Sequence, residues 1–151
     1  MQLWSRSARA FPVLLLAISV HGLTAADFTG HWRQQTESGA QRQLDIDQHG
    51  QTLLVKTTVI NSKGARRLEV KYEIGGPQTS YKGLDGDKFR SSVHWDGSTL
   101  VFNTVEREGG RKIPETTVWS LSEDGNQLQV KRQSAKPGKT ADSMTLYVRR
   151  P

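Results

Sequence analysis

Between Lys88 and Arg107 the chain reads KFRSSVHWDGSTLVFNTVER, two runs that alternate apolar and polar residues around Asp96-Gly97. A period of two marks a strand with one buried face. Asp-Gly is a preferred pair for a two-residue hairpin turn. A turn on those residues predicts Trp95 opposite Ser98, Val93 opposite Leu100 and Ser91 opposite Phe102. Phe89, Val93, Trp95, Leu100 and Phe102 then share one face, with Arg90, His94 and Asn103 on the other. A slip of one residue would scramble both faces.

The same pattern recurs along the chain. Phe28–Glu37 reads as a strand, and Ser38-Gly39 turns it into Gln41–Asp47. His49-Gly50 sets Ile46 opposite Leu53 and Leu44 opposite Val55, while Lys63-Gly64 sets Val59 opposite Leu68 and Val55 opposite Tyr72. Arg67–Ile74 stops at Gly75-Gly76-Pro77, a strong breaker. Gln78–Leu84 is a weaker strand in which either Tyr81 or Leu84 faces inward, ahead of a turn within Asp85-Gly86-Asp87. Gly109-Gly110 sets Leu100 opposite Trp119 and Phe102 opposite Thr117, and Asp124-Gly125 sets Leu121 opposite Leu128 and Trp119 opposite Val130. The loop Ala135–Thr140 leads to a last strand, Ser143–Arg150, with apolar positions Met144, Leu146 and Val148. No helical period is sustained. About ten strands on short turns make an all-β antiparallel meander, and closing it into an up-and-down barrel removes the exposed edges that a flattened sandwich would keep.

The first 26 residues read differently. Arg6 and Arg9 precede an apolar run at Phe11–Val20 and small residues at Thr24-Ala25-Ala26, with no acidic residue among them. That is the pattern of a secretory signal peptide rather than a membrane span. It predicts a leader at 1–26, one domain at 27–151, and an exported, periplasmic or secreted product. Cysteine is absent, so stability must come from packing, and no later stretch is long and apolar enough to span a bilayer. The residues after 26 carry 19 Lys/Arg against 15 Asp/Glu. The basic residues look scattered, with no stripe interleaved with aromatics of the kind that binds nucleic acid, so no nucleic-acid partner is expected.

Following the meander, the His49-Gly50, Asp96-Gly97 and Asp124-Gly125 turns share one end with both termini of the domain. Inward positions there are bulky and apolar: Phe28, Ile46, Leu53, Trp95, Leu100, Leu121 and Leu128. Toward the opposite end they turn polar, through Gln34, Ser91, Thr104, Glu106, Glu115, Thr117 and Arg132. An apolar pocket with a few convergent polar groups is the usual ligand site. Its floor would be Tyr72, Phe102 and Trp119, and its polar wall Gln34, Thr104, Glu115, Thr117 and Arg132. Arg132 would meet an anionic head group, with Glu115 nearby to compete for it. The rival reading is a barrel filled by its own side chains, with these groups on a wet rim. His31 and His94 fall on outward positions and His49 in a turn, so neither a metal site nor a histidine-activated nucleophile is expected, and no cofactor.

Asp27-Phe28-Thr29-Gly30-His31-Trp32 contains an F-x-G-x-W segment that resembles the opening of fatty-acid-binding proteins and, as G-x-W, of lipocalins, the calycin β-barrels. Trp95-Asp96-Gly97 and Trp119–Gly125 further resemble small exported bacterial proteins called lipocalin-like. The resemblance implies a ligand-binding barrel in which a basic residue near the C-terminus, Arg149 or Arg150, covers Trp32 beside Phe28 and Gly30. It departs in two places. Only Ser38-Gly39-Ala40 stands where fatty-acid-binding proteins insert two helices, and Thr145-Leu146-Tyr147 replaces their carboxylate-holding R-x-Y. The reading is a monomeric, non-enzymatic binding protein for a small hydrophobic or amphiphilic molecule, anionic if Arg132 acts. The alternative is an envelope or extracellular protein-interaction module, an inhibitor or scaffold, with a filled barrel.

Overall fold

Ten antiparallel strands follow one another in the order the alternation sets. They are β1 (Gly30–Gln34), β2 (Gln41–His49), β3 (Thr52–Asn61), β4 (Gly64–Glu73), β5 (Thr79–Lys82), β6 (Lys88–Asp96), β7 (Thr99–Glu108), β8 (Arg111–Leu121), β9 (Gln127–Ser134) and β10 (Asp142–Arg150). The computed structural model describes residues 25–36, 39–135 and 142–151, with no helix among them. The leader expected at 1–26 lies almost wholly outside the described residues, as do Ser38 of the first turn and most of the Ala135–Thr140 loop.

All ten strands form one sheet, ordered β4-β3-β2-β1-β10-β9-β8-β7-β6-β5. The first strand pairs with the last, Trp32 opposite Arg149 and Gln34 opposite Tyr147. The sheet's free edges, β4 and β5, meet at a seam with no continuous ladder. A parallel bridge between Ile74 and Val93, a bond from Gly75 N to Val93 O (2.7 Å) and one from Thr79 Oγ1 to the Lys71 carbonyl (3.1 Å) tie it together. The result is a nearly closed barrel.

Four turns differ from the residues first assigned, three of them in register. In the β6–β7 hairpin Asp96 opposes Thr99, Trp95 opposes Leu100 and Val93 opposes Phe102. The two loop residues are therefore Gly97-Ser98, one position later than expected. The β2–β3 loop is likewise Gly50-Gln51, with Ile46 opposite Val55. A type I′ turn needs positive φ at both central residues, but a turn with Gly first needs it only there. Gly97 and Gly50 both have φ of 58°, and among the described residues no non-glycine has a positive φ. Moving the turn by one residue shifts the pairing by two, which keeps every side chain on its own face. Alternation could not detect it. The β3–β4 loop is Ser62-Lys63, with Val55 opposite Val70, by the same ambiguity.

The β7–β8 register is Leu100 opposite Trp119 across Gly109-Gly110, and β8–β9 sets Leu121 opposite Leu128. The latter loop is four residues, Glu123–Asn126, closed by Ser122 N donating to Gln127 O (2.9 Å), not two. Asp124 holds it, accepting from Ser122 Oγ (2.5 Å) and from Asn126 N (3.0 Å). These bonds, the Ser122 hydroxyl first, keep the Asp124 carboxyl below the usual carboxylate range. A carboxyl with a depressed pKa stabilises the fold while ionised, and that contribution is lost as pH falls through its folded-state value. The thermal midpoint is expected to fall as the pH drops below about 4, the ordinary aspartate value, and on toward the lower folded-state one. Asp124→Asn should lower it at neutral pH and flatten the acid slope, as scanning calorimetry would record.

The core is one cluster inside the barrel. Phe28, Trp32, Leu53, Leu100 and Leu128 are fully buried. Phe28 packs its ring against Trp95 (6.1 Å) and Trp119 (6.0 Å). Tyr81, rather than Leu84, packs on this cluster from the short strand β5. On β10 the inward residue is Tyr147, while Met144 is 58% exposed on the outer face. The basic residues that look scattered in sequence also prove otherwise: Lys82, Lys88, Arg107 and Lys112 stand opposite one another on neighbouring strands.

Candidate functional site

One end of the barrel is sealed. Trp32 is buried, and its Nε1 donates to the Phe28 carbonyl (2.9 Å). The Arg149 guanidinium lies 4.3 Å from the centre of the Trp32 ring, donates from Nη1 to the Thr29 carbonyl and from Nε to the Gly125 carbonyl (3.0 Å). Gly30 makes room for it, since a Cβ at that position would lie 2.5 Å from Arg149 Nη1. Arg150, one residue on, is exposed and takes no part. A cation on an aromatic face, with donors used by two carbonyls, caps this end of the barrel.

Above this plug is a cavity of about 320 Å³. Tyr72, Trp119, Val55, Val70 and Tyr147 give it apolar walls, and Arg42, Glu115, Thr117 and Arg132 bring polar groups to it. Phe102 lies behind the wall, with ring contacts to Trp119 (4.7 Å) and Tyr72 (5.4 Å). Glu115 Oε2 is ion-paired with Arg132 Nη2, and Thr117 Oγ1 donates to Glu115 Oε1 (3.3 Å). The Arg132–Glu115 pair is therefore satisfied internally. Arg42 is not paired with any carboxylate among the described residues. It lies beside Tyr147, whose hydroxyl burial holds above the usual phenol range while the nearby Arg42 charge acts against that shift.

A second polar element crosses the interior from the other side. Tyr81 Oη and Ser91 Oγ are 3.2 Å apart, and Ser91 Oγ and Thr104 Oγ1 are 2.7 Å apart. Ser91 and Thr104 are buried. Burial also pushes up the Tyr72 hydroxyl, which meets that of Tyr81. Near the mouth, carboxylate oxygens of Asp85, Asp87 and Glu106 gather within 4.8 Å of one another, Glu106 from the wall and the others from the β5–β6 turn.

Of the eight residues first assigned to the pocket, Tyr72, Glu115, Thr117, Trp119 and Arg132 line this cavity. Phe102 and Thr104 sit one layer behind it. Gln34 is on the rim of a separate depression with Gln35, Thr36 and Leu146. Arg42, Tyr81 and Tyr147 were missed. Arg42 shares the inward parity of Leu44 and Ile46, so alternation would have placed it. Tyr147 was hidden because Met144, Leu146 and Val148 make the outward parity of β10 the more apolar one.

Three solved structures share this fold. The REP1-NXSQ fatty acid transporter superposes with a TM-score of 0.65 at 13% identity, over 84% of this chain and 98% of its own. Fatty-acid-binding protein 1 of Echinococcus granulosus gives 0.61 at 11% identity, over 82% and 98%. The fold is that of the fatty-acid-binding proteins. Zebrafish ileal bile acid-binding protein, complexed with cholic acid, has the same calycin-like barrel, with a TM-score of 0.57 at 15% identity over 82% and 98%. No protein-family model and no curated protein matches the sequence. The calycin-like barrel here is compact at its first connection: residues 35–40 alone join β1 to β2.

Proposed function

We propose that this protein is an exported, monomeric, non-enzymatic carrier of a small anionic amphiphile, held in the barrel with its head group against Arg42 and Tyr147. The observation that carries this reading is the walled cavity with, on its lining, the Arg42 guanidinium, which has no carboxylate partner among the described residues. A barrel filled by its own side chains would leave no such space. At about 320 Å³ the cavity is at the small end of the roughly 300–1,000 Å³ range of ligand pockets, which favours a short chain over a long one. Structural neighbours named for fatty acids and for a bile acid support the ligand class. Export rests on the pattern of residues 1–26, and the mature product is expected to begin at Asp27.

The test is titration of purified protein with the anionic dye 1-anilinonaphthalene-8-sulfonate and the neutral dye N-phenyl-1-naphthylamine, following Trp119 fluorescence. Both should bind, the anionic dye more tightly, and medium-chain carboxylates should displace them. A protein that binds neither dye would be better read as an interaction module.

A further inference from the structure

We infer that the outer face of β5–β8 is a binding surface for a flexible, linear acidic polysaccharide. Lys82 stands directly opposite Lys88, Lys88 opposite Arg107, and Arg107 opposite Lys112, so four cations form one row across four strands. Arg90 stands two residues along β6 from Lys88 on the same face. Like charges directly opposite in a sheet are destabilising, and here three such pairs follow in succession. None of the five cations has a carboxylate partner among the described residues. The nearby acids face elsewhere: Asp85 and Asp87 converge on the inward-pointing Glu106, and Glu108 shares the inward parity of Glu106. On this outer face the described carboxylate is Asp96, at the far end of β6.

The wall just across the seam, β3–β4, is arranged differently. There Lys56 pairs with Glu69 (3.5 Å) and Lys71 with Glu73 (3.7 Å). Cations and anions alternate on β3–β4, while the row on β5–β8 holds cations alone, with Asp96 at the far end of β6. A mild overall excess of positive charge would not sort them this way.

Shape chooses the occupant. At about 4.8 Å per strand the row is about 14 Å long, and it runs around the barrel rather than along it. It covers three of the inter-strand steps of a ten-stranded wall, close to a third of the circumference. A flat bilayer touches a convex wall along one or two strands. A flexible chain can follow the curve and meet every cation. The groove among these residues is lined by Gln78, Ser80, Val105, the cations, Tyr81 and Phe89; the two aromatics take the inward parity and stack on each other (5.4 Å), with Tyr81 packed on the core, so no aromatic ring stands outward among the cations. Nucleic acid would lack a stacking platform, and a peptide would lack the aromatic anchor that protein interfaces depend on. A sugar chain bearing sulfate, phosphate or carboxylate groups needs only the charges and the polar groups between them.

The test uses a heparin-derived octasaccharide as probe, measured by calorimetry at about 0.1 M salt, where charges within roughly 10 Å still interact. The quadruple variant Lys82→Ala/Lys88→Ala/Arg107→Ala/Lys112→Ala should lose affinity at least about tenfold and show a flatter salt dependence. A control with four equal charges removed elsewhere, Arg33→Ala/Lys56→Ala/Arg67→Ala/Lys71→Ala, should change by less than about twofold. The quadruple variant should melt no lower than wild type, because the opposed charges are gone. Should it fail to fold, the milder Lys88→Gln/Arg107→Gln carries the same comparison. Equal losses in variant and control would reduce the row to net charge and overturn the proposal. So would undetectable octasaccharide binding, or tighter binding to polyglutamate or to phosphatidylglycerol vesicles.

Discussion

Trp32→Ala is expected to destabilise the protein by about 3–5 kcal/mol, the usual range for deleting a large aromatic from a core. Trp32 is 1% exposed, so nearly all of its surface leaves water on folding. The truncation would also strand two partners. The Phe28 carbonyl would lose its donor, and Arg149 would lose the ring on which it lies. An unsatisfied buried acceptor adds about 1–3 kcal/mol where water cannot reach it. Trp32→Phe should recover part of the loss by restoring an aromatic face for Arg149 without the indole donor. Urea unfolding would measure both. A loss below about 1 kcal/mol for Trp32→Ala would contradict the sealed-end geometry.

Arg42→Ala should weaken binding of anionic amphiphiles by about 10–100-fold, as expected from charge-assisted hydrogen bonds of about 1.5–3 kcal/mol, and leave neutral probes almost unchanged. Glu115→Gln should do the reverse. In the wild type Glu115 neutralises Arg132. Removing its charge frees a second guanidinium in the same cavity, and affinity for the anionic dye should rise by several fold. Arg132→Ala leaves Glu115 without its cation and should repel the same dye. Three variants with effects of predictable sign separate a head-group site from a rim of solvated charges. If all three bind both dyes alike, the ligand does not contact these residues.

Much of the fold is legible in the alternation of side chains, because a barrel wall with one apolar face can be read residue by residue. The limits are physical. Parity fixes which face a residue takes but not which of two registers, differing by two, a hairpin adopts. Gly50-Gln51 and Gly97-Ser98 were therefore misplaced while Val93, Trp95, Leu100 and Phe102 kept their common face. On β10 the parity itself misled, since the outward residues are the more hydrophobic set and Tyr147 stands between them. The cavity was legible only in part for another reason. Arg42, Tyr147 and Arg132 come from β2, β10 and β9, and the join that brings them together is the pairing of the two chain ends, which no local signal contains. The cationic row escaped for the same reason, as its members are spread over four strands and three turns.

That joining of ends also orders the folding reaction. Every other strand pair in the sheet is made by neighbours in sequence and needs only a short loop to close. β1 with β10 is the exception, sealed by a bond between residues 120 apart, from Arg149 to the Thr29 carbonyl. Loop-closure entropy rises slowly with length, but it must be met before any contact across the join returns it. High sequence separation of this kind slows folding. Hairpins β2–β3 and β6–β9 can form early and locally. The wall is completed only when the C-terminal strand docks, and that single event also lays Arg149 over Trp32 and brings Tyr147 up to Arg42. Closing the barrel, plugging its end and bringing Tyr147 to the polar side of the cavity all depend on that one docking, so a chain that has not yet delivered β10 has neither a sealed core nor a complete cavity wall.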